Sequence, residues 1–183
     1  MEIDQLVQPE RVHRRVYSDP EIFDRELEKI FSVAWIFIGH VSQIPNSGDF
    51  FCTDVARQPI VMTRHKDGAV KVLFNRCGHR GAQVVGSESG CAETFRCCYH
   101  GWEYATDGTL LSIPRPRGYE ESTVRPGDPA YGMIPVPRVA EYRGFVFASL
   151  SHTGPSLLEY LGPIASSIDD MVDRSPDGEI EVA

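Results

Sequence analysis

Hydrophobic and polar residues follow three different patterns along the chain. From Met1 to about Ala34, apolar residues recur at helical spacing after a capping sequence. From about Trp35 to Leu150, short apolar runs are separated by turn residues, and from residue 151 onward a helical pattern passes into an acidic tail. These patterns predict a helical segment at residues 1–34, a central β domain at 35–150 and a connecting helix at 151–183.

Two helix starts are predicted outside the central part. The sequence Ser18-Asp19-Pro20-Glu21 supplies a capping residue, a first-turn proline and an early acid. A second helical pattern begins at Ser156, and the residues after it are mostly acidic. The last five residues, 179–183, alternate like a strand without a partner, and we expect them to open a further domain. Helical spacing also predicts one apolar face on the first helix, formed by Ile22, Phe23, Leu27, Ile30 and Phe31.

The central part is predicted to be all-β. Turns are expected at Lys66-Asp67-Gly68 and Thr106-Asp107-Gly108, and a loop rich in proline and glycine at residues 113–137. Many short strands at close spacing indicate an antiparallel sandwich or small barrel. The apolar runs that predict these strands are Trp35–Gly39, Phe50–Thr53, Ile60–Thr63, Val70–Phe74, Trp102–Tyr104, Thr109–Leu111 and Phe145–Ala148.

Composition and charge exclude several classes of function. The 18 basic and 26 acidic side chains give a net charge of −8, which argues against nucleic acid as a partner. The longest apolar run, residues 33–39, is far shorter than the ~20 residues of a membrane span. The first residues are acidic and lack the apolar core of a secretory signal, so we expect a cytoplasmic protein. Its five cysteines are then expected to be reduced thiols or metal ligands.

Two short segments each carry a cysteine and a histidine beside glycines. They read Cys77-x-His79 within Asn75–Gly81, and Cys97-x-x-His100 within Phe95–Trp102. Two thiolates and two imidazoles suit either zinc or an iron–sulfur cluster. A zinc finger usually takes both cysteines from one segment and both histidines from the other. Because each segment here offers one of each, the pattern favours a binuclear centre with sulfur on one iron and nitrogen on the other.

At these residues the sequence resembles the Rieske [2Fe–2S] family. It looks most like the N-terminal Rieske domain of the α subunit of aromatic-ring-hydroxylating (Rieske non-haem iron) oxygenases, over about residues 35–150 and including the run Tyr104–Leu110. The resemblance implies that Cys77 and Cys97 bind the iron that stays ferric, and that His79 and His100 bind the redox-active iron. The residues expected around the cluster are Gly78, Arg80, Gly81, Tyr99, Gly101 and Trp102.

One departure from the family pattern and one difference from its respiratory members stand out. The family usually has proline after the second ligand cysteine, whereas this chain has Cys98. High-potential respiratory members carry extra cysteine and serine residues where this chain has Ala82, Tyr99 and Trp102. Fewer hydrogen bonds to sulfur are therefore expected, which predicts a reduction potential of about −150 to 0 mV, low in the Rieske range.

The resemblance also implies a role in a larger oxygenase. In that family a ferredoxin or a flavin/iron–sulfur reductase passes electrons to the cluster, which passes them to a mononuclear non-haem Fe(II) for O₂-dependent hydroxylation of an aromatic substrate. That iron needs two histidines and a carboxylate, and only His152 follows His100. We therefore expect the second iron in a missing catalytic domain, this fragment to be inactive alone, and the assembly to be a trimer-like homo-oligomer or an α/β complex.

Two other functions remain open from the sequence. One is a free-standing Rieske-type electron carrier without catalysis, and the other is a zinc-stabilised interaction module. The helical segments at both ends favour the oxygenase, because a free-standing carrier does not need them. Residues 57–100 contain seven bases against three acids, which predicts either a solvated surface or a docking face for an acidic electron donor.

Overall fold

The structure, a computed structural model, describes residues 3–182. Every pair of neighbouring strands is antiparallel. The strands are β1 (Val7–Gln8), β2 (Arg11–Val12), β3 (Ile36–His40), β4 (Asp49–Val55), β5 (Gln58–Arg64), β6 (Val70–Phe74), β7 (Ser89–Cys91), β8 (Thr94–Arg96), β9 (Glu103–Ala105), β10 (Leu110–Ser112), β11 (Arg138–Tyr142) and β12 (Phe145–Ser149). The helices are α1 (Arg15–Ser18), α2 (Pro20–Glu26), α3 (Leu157–Leu161) and α4 (Ile164–Asp173).

The strands form three sheets and a small separate hairpin. The largest sheet has the order β6-β5-β4-β7, and the other two have the orders β11-β12-β3 and β10-β9-β8. The hairpin pairs β1 with β2. This arrangement confirms the predicted antiparallel β class, and the α-helices of the described residues lie at the two ends of the chain. α4, the longest of the helices described, has ten residues. A bilayer-spanning helix needs about 20, and no described helix is a membrane span.

Both faces of the largest sheet are buried. Alternate residues of a strand point to opposite sides of the sheet, so the two faces contribute to two different cores. On β5, Ile60 and Met62 enter a core shared with Ile38 of β3 and Val146 of β12. Val61, between them, enters a second core. That second core also contains Cys77, Cys97, Trp102, Tyr104 and Leu110. The sheet therefore supplies a rigid base for the segment that carries the cysteine–histidine pairs.

Helix α2 begins where the sequence predicts a helix start. The side chain of Asp19 caps it by accepting a hydrogen bond from the Glu21 N–H at 3.1 Å, and Pro20 is its first residue. After Glu26 the chain continues as a π turn over Leu27–Phe31.

The predicted apolar face of this helix is wrong. Among its five residues only Ile22 is buried. Phe23 lies under the guanidinium of Arg57, 4.8 Å from ring centroid to Cζ, and remains 41% exposed. Ile30 lies in the π turn and is 52% exposed, because the wider turn breaks the 3.6-residue repeat on which the prediction rested.

The C-terminal segment packs on the outer face of the β11-β12-β3 sheet. Ser156 and Glu159 form a capping box at the start of α3. Tyr142 donates its hydroxyl to the Asp169 carboxylate at 2.9 Å, and Arg143 pairs with Asp169 at 3.2 Å and Asp173 at 2.5 Å.

Residues 179–182, which alternate like the opening of a strand without a partner, form no strand, and residue 183 lies outside the described part. This agrees with the missing partner, because a strand needs a hydrogen-bonding partner along its edge. The Val182 N–H instead donates to the hydroxyl of Ser42 at 3.0 Å.

Candidate metal centre

Two loops with the same backbone hydrogen bonds carry the predicted ligands. In the first, the Cys77 N–H donates to Ala82 O at 2.8 Å and the Gly81 N–H donates to Cys77 O at 2.9 Å. In the second, the Cys97 N–H donates to Trp102 O at 2.8 Å and the Gly101 N–H donates to Cys97 O at 2.9 Å. Gly81 and Gly101 have φ of +73° and +74°, the left-handed region that glycine enters without strain. The two loops are therefore near copies of one tight turn.

The loops separate the four candidate ligands into a buried pair and an outer pair. The thiols of Cys77 and Cys97 are buried, with 4% and 2% of each residue exposed. The imidazoles of His79 and His100 lie edge to face with ring centroids 4.7 Å apart. His100 is exposed and His79 is half-buried. Sulfur thus lies on the protein side of the site and nitrogen on the solvent side.

His79 is held by Trp102. The two rings are stacked at 4.7 Å with an interplanar angle of 10°, and Trp102 is only 1% exposed. Burial, with the nearby His100 and Arg80, lowers the pKa of His79, which keeps the imidazole neutral. Its Nδ1 atom is buried without a hydrogen-bond partner. A neutral ring with an unused nitrogen lone pair is the form of histidine that binds a metal.

Cys77 has a specific hydrogen-bond partner in Tyr104, a residue that the motifs did not single out. The Tyr104 hydroxyl lies 3.0 Å from Cys77 Sγ and accepts the Gly78 N–H at 3.0 Å. Its proton is therefore available to the sulfur. Burial raises the pKa of the Cys77 thiol, as does the neighbouring Cys97, while the Tyr104 hydrogen bond opposes the rise. Burial and the Cys77 sulfur also raise the pKa of Tyr104, so that it stays a donor.

Asn75 fixes the base of the first loop. Its side chain is buried, its Oδ1 accepts the N–H groups of Val84 and Val85 at 3.1 and 2.9 Å, and its Nδ2 donates to Val85 O at 2.8 Å. The side chain thereby ties the strand before the loop to the chain after it.

Gly78 allows the backbone of the long loop between β10 and β11 to approach the first ligand loop closely. A Cβ added at this position would lie 2.3 Å from Tyr131 O and 2.8 Å from Gly132 O. Neither this contact nor the role of Asn75 leaves a signal in the local motif, because both depend on segments distant in sequence.

The other residues expected around the cluster lie at the loop tips. Tyr99 is 58% exposed, with its ring centroid 3.8 Å from that of His100. The guanidinium of Arg80 lies over the Tyr99 ring at 5.7 Å. Cys98 is exposed to solvent. The tip beside His100 is therefore an accessible surface with a fixed positive charge next to it.

Cys52, His40 and His65 lie outside the two motifs, and their surroundings are those of residues that bind no metal. Burial and the nearby Asp54 raise the pKa of Cys52 to about 11, as expected for an inert thiol. His40 and His65 are buried and hydrogen-bonded, to Ser42 at 2.9 Å and to Thr106 at 2.7 Å. All five cysteines are free thiols.

The residues present fit an iron–sulfur cluster with mixed ligands. Two buried thiols are available on one side, and on the other side a buried, unpaired His79 Nδ1 lies beside the ring of His100. Over residues 3–182, no three His, Cys, Asp or Glu side chains gather around a single metal position. The donors occur as two pairs, Cys77 beside Cys97 and His79 beside His100, and each iron of a binuclear Rieske cluster takes two protein ligands.

Comparison with known proteins gives a consistent result. The Rieske [2Fe–2S] domain model matches residues 34–137. The toluate 1,2-dioxygenase α subunit of Pseudomonas putida is 39% identical over 182 residues, covering 96% of this chain and 40% of its own length. The biphenyl dioxygenase α subunit of Paraburkholderia xenovorans is 37% identical over 176 residues, covering 92% of this chain and 37% of its own length.

Solved structures show the same likeness. Naphthalene 1,2-dioxygenase from a Rhodococcus species aligns with a TM-score of 0.84 and 35% identity over 91% of this chain and 37% of its own. A quaternary ammonium Rieske monooxygenase aligns with a TM-score of 0.76 and 28% identity over 87% of this chain and 43% of its own. The chain thus spans about 40% of the length of these relatives. The resemblance seen in the two motifs is confirmed, and the chain belongs to the Rieske [2Fe–2S] domain family.

Proposed function

We propose that this domain receives electrons from a carrier protein and passes them, one at a time, to a catalytic iron of an oxygenase α subunit. The observation that carries the proposal is the division of the candidate ligands into two buried thiols and two imidazoles nearer the surface, of which His100 is exposed. When bound, a [2Fe–2S] cluster supplies reversible one-electron redox chemistry. We assign Cys77 and Cys97 to one iron, and His79 and His100 to the redox-active iron.

The protein around the cluster has three tasks in this proposal. The buried thiols and the core beneath them keep water from the sulfur side. Trp102 fixes the plane of the His79 ring through the 4.7 Å stack. His100, the more exposed of the two imidazoles, would be the ligand through which a protein at the surface exchanges electrons with the site.

Tyr104 sets the stability of the reduced state. As a thiolate ligand, Cys77 Sγ can only accept, so the Tyr104 hydroxyl 3.0 Å away would donate to it, and a hydrogen bond to sulfur stabilises the more negative, reduced cluster. Tyr104→Phe is expected to lower the reduction potential by about 20–60 mV, the one-electron equivalent of one hydrogen bond. Protein-film voltammetry measures the shift. Tyr131→Phe, which removes a hydroxyl paired with Thr123 rather than with a cysteine, is the matched control, and equal potentials in all three proteins would contradict this role.

We assign the complete protein to the ring-hydroxylating oxygenases as an α subunit. The relatives named above act on toluate and biphenyl according to their names, and another is an N,N-dimethyl phenylurea N-demethylase α subunit. We propose an aromatic substrate, a mononuclear non-haem Fe(II) in a catalytic domain, and assembly into a trimer-like homo-oligomer or an α/β complex. Ile30, Val33 and Phe37, which are 50–52% exposed, support packing against further protein.

The exposure of Ile30, Val33 and Phe37 also helps to decide between the oxygenase and a free-standing electron carrier. Such a carrier has no reason to leave three large apolar side chains half-exposed, whereas an interface with another domain would cover them. The exposure of these three side chains therefore favours the oxygenase over the carrier.

We propose an acidic electron donor, a ferredoxin or a flavin/iron–sulfur reductase, that docks beside His100. Within the predicted basic face, Arg64 donates to Ile44 O at 3.0 Å and Arg76 donates to Gln58 Oε1 at 2.6 Å. Arg80 lies over Tyr99, and the guanidinium of Arg96 lies about 3.5 Å from the Cβ position of Gly101. These two charges flank the exposed imidazole and can steer an acidic partner to it.

The test is the rate at which a reduced [2Fe–2S] ferredoxin reduces the reconstituted protein in stopped flow. We expect the bimolecular rate constant to fall by about tenfold as NaCl rises from low to high concentration, and Arg80→Gln to lower it at low salt. The control is Arg57→Gln, since the Arg57 side chain pairs with Asp24 of α2. This variant should leave the rate unchanged. A protein that this donor does not reduce would overturn the proposed function, and a rate insensitive to salt would overturn the docking face.

A further inference from the structure

Unpaired polar atoms in buried side chains are few and are unevenly distributed. In residues 3–182 they are His40 Nε2, Thr63 Oγ1, His79 Nδ1 and Trp102 Nε1. The first two lie on β3 and β5. The other two belong to side chains that stack directly on each other in the metal centre. A buried N–H without an acceptor is costly and rare in folded proteins, so each one requires an explanation.

The two atoms in the stack have complementary chemistry. His79 Nδ1 has no hydrogen-bond partner, and with the ring proton on Nε2 it has a lone pair free to bind a metal, whereas Trp102 Nε1 carries a proton with nothing to accept it. The lone pair is accounted for by iron in the proposed ligand set. The indole N–H needs an electron-rich acceptor that is part of the same loaded site.

No neighbouring aromatic hydroxyl takes this proton. Tyr119 and Tyr131 pack against Trp102 edge to face, with ring centroids 6.0 and 6.3 Å away. The Tyr131 hydroxyl is already paired with Thr123. By contrast, Trp35, the other tryptophan of the chain, donates its Nε1 proton to Pro155 O at 3.1 Å. The missing partner is thus a property of the metal centre and not of buried tryptophans in this protein.

We propose that Trp102 is a positioning residue whose indole N–H donates a hydrogen bond to sulfur of the loaded cluster. The stack on His79 fixes the indole plane, so that one side chain orients a nitrogen ligand and supplies a donor to sulfur. This inference rests on the proposed cluster and deepens it, because it assigns a tuning donor at a position where the motifs predicted none. Together with Tyr104, it gives the sulfur side of the site two side-chain donors.

Such a donor favours the reduced state. The added electron increases the negative charge on sulfur, which strengthens the N–H···S hydrogen bond relative to the oxidised state. Trp102→Phe keeps an aromatic ring against His79 and removes the N–H. At a fixed applied potential we expect the ratio of reduced to oxidised cluster to fall about tenfold in this variant.

Redox titration of the reconstituted holoprotein followed by visible absorption measures this ratio. The matched control is Trp35→Phe, which removes an indole N–H that already has a protein acceptor. We expect this control to lower the thermal stability and leave the redox equilibrium unchanged. If Trp102→Phe retains the cluster and titrates like the wild type, the hydrogen bond is refuted while the proposed function survives.

A second measurement does not depend on how well Trp102→Phe folds. The Trp35→Phe variant contains a single tryptophan, so growth with tryptophan labelled with ¹⁵N in the indole ring places the label only at Trp102. Pulsed EPR of the reduced cluster is expected to show a weak ¹⁵N hyperfine coupling transmitted through the hydrogen bond. A cluster signal of normal intensity without ¹⁵N coupling would overturn the proposal.

Discussion

Replacing Cys97 by serine is expected to abolish cluster binding. Cys97 is buried at the base of the second loop, in the same core as Cys77. A hydroxyl in its place is a poor ligand for iron and leaves one iron without half of its protein ligands. We expect the purified variant to lose the visible absorption and the bound iron almost completely.

The neighbouring residue provides the control for this prediction. Cys98 is adjacent in sequence but exposed, so Cys98→Ser should retain two irons and two sulfides per chain. Cys52→Ser removes a half-buried thiol outside the loops and should retain them as well. Retention of the cluster in Cys97→Ser with its loss in Cys98→Ser would shift the ligand assignment by one residue.

Replacing Gly78 by alanine is expected to be the most destabilising small substitution in the first loop. The added methyl group would lie 2.3 Å from Tyr131 O and 2.8 Å from Gly132 O. Backbone atoms cannot move aside as a flexible side chain can, so either the loop or the 129–132 segment must shift. We expect a loss of about 3 kcal/mol in the free energy of unfolding. Thermal unfolding of the holoprotein should show a drop in Tm of about 6–12 °C.

Gly86→Ala is the matched control. Gly86 follows the same loop, has no heavy atom within 4 Å of its Cβ position and has no positive φ. Its substitution is expected to change stability by less than about 1 kcal/mol, with stabilisation favoured because alanine restricts the unfolded chain. Equal Tm values for the two variants would show that the contact of Gly78 with Tyr131 and Gly132 is not tight in solution.

Local patterns were sufficient to predict the parts of the fold that depend on local chemistry. β6 has the bounds of the predicted run Val70–Phe74, and β4, β5 and β12 enclose their predicted runs. Each of these strands buries apolar residues of its run, such as Phe50, Val61 and Val146. The ligand motifs could be found for the same reason, since a Cys–His pair in a tight loop needs only a few consecutive residues.

Other features depend on partners that are distant in sequence. β7 (Ser89–Cys91) is entirely exposed and has no apolar pattern, and it exists because it pairs with the edge of β4. β11 has only partly buried and exposed residues, and it is defined by its pairing with β12. Tyr104 is recognised as a partner of Cys77 only once β9 places it beneath the first loop. No spacing rule within either segment connects residues 77 and 104.

The most direct test of the ligand assignment is pulsed EPR of the dithionite-reduced holoprotein, with iron and acid-labile sulfide quantified on the same sample. We predict two irons and two sulfides per chain, and nitrogen couplings from two imidazoles that fall to one when His100 is replaced by cysteine. A paramagnetic cluster without any imidazole coupling, or a diamagnetic protein containing zinc, would contradict the assignment of His79 and His100 to one iron and of Cys77 and Cys97 to the other.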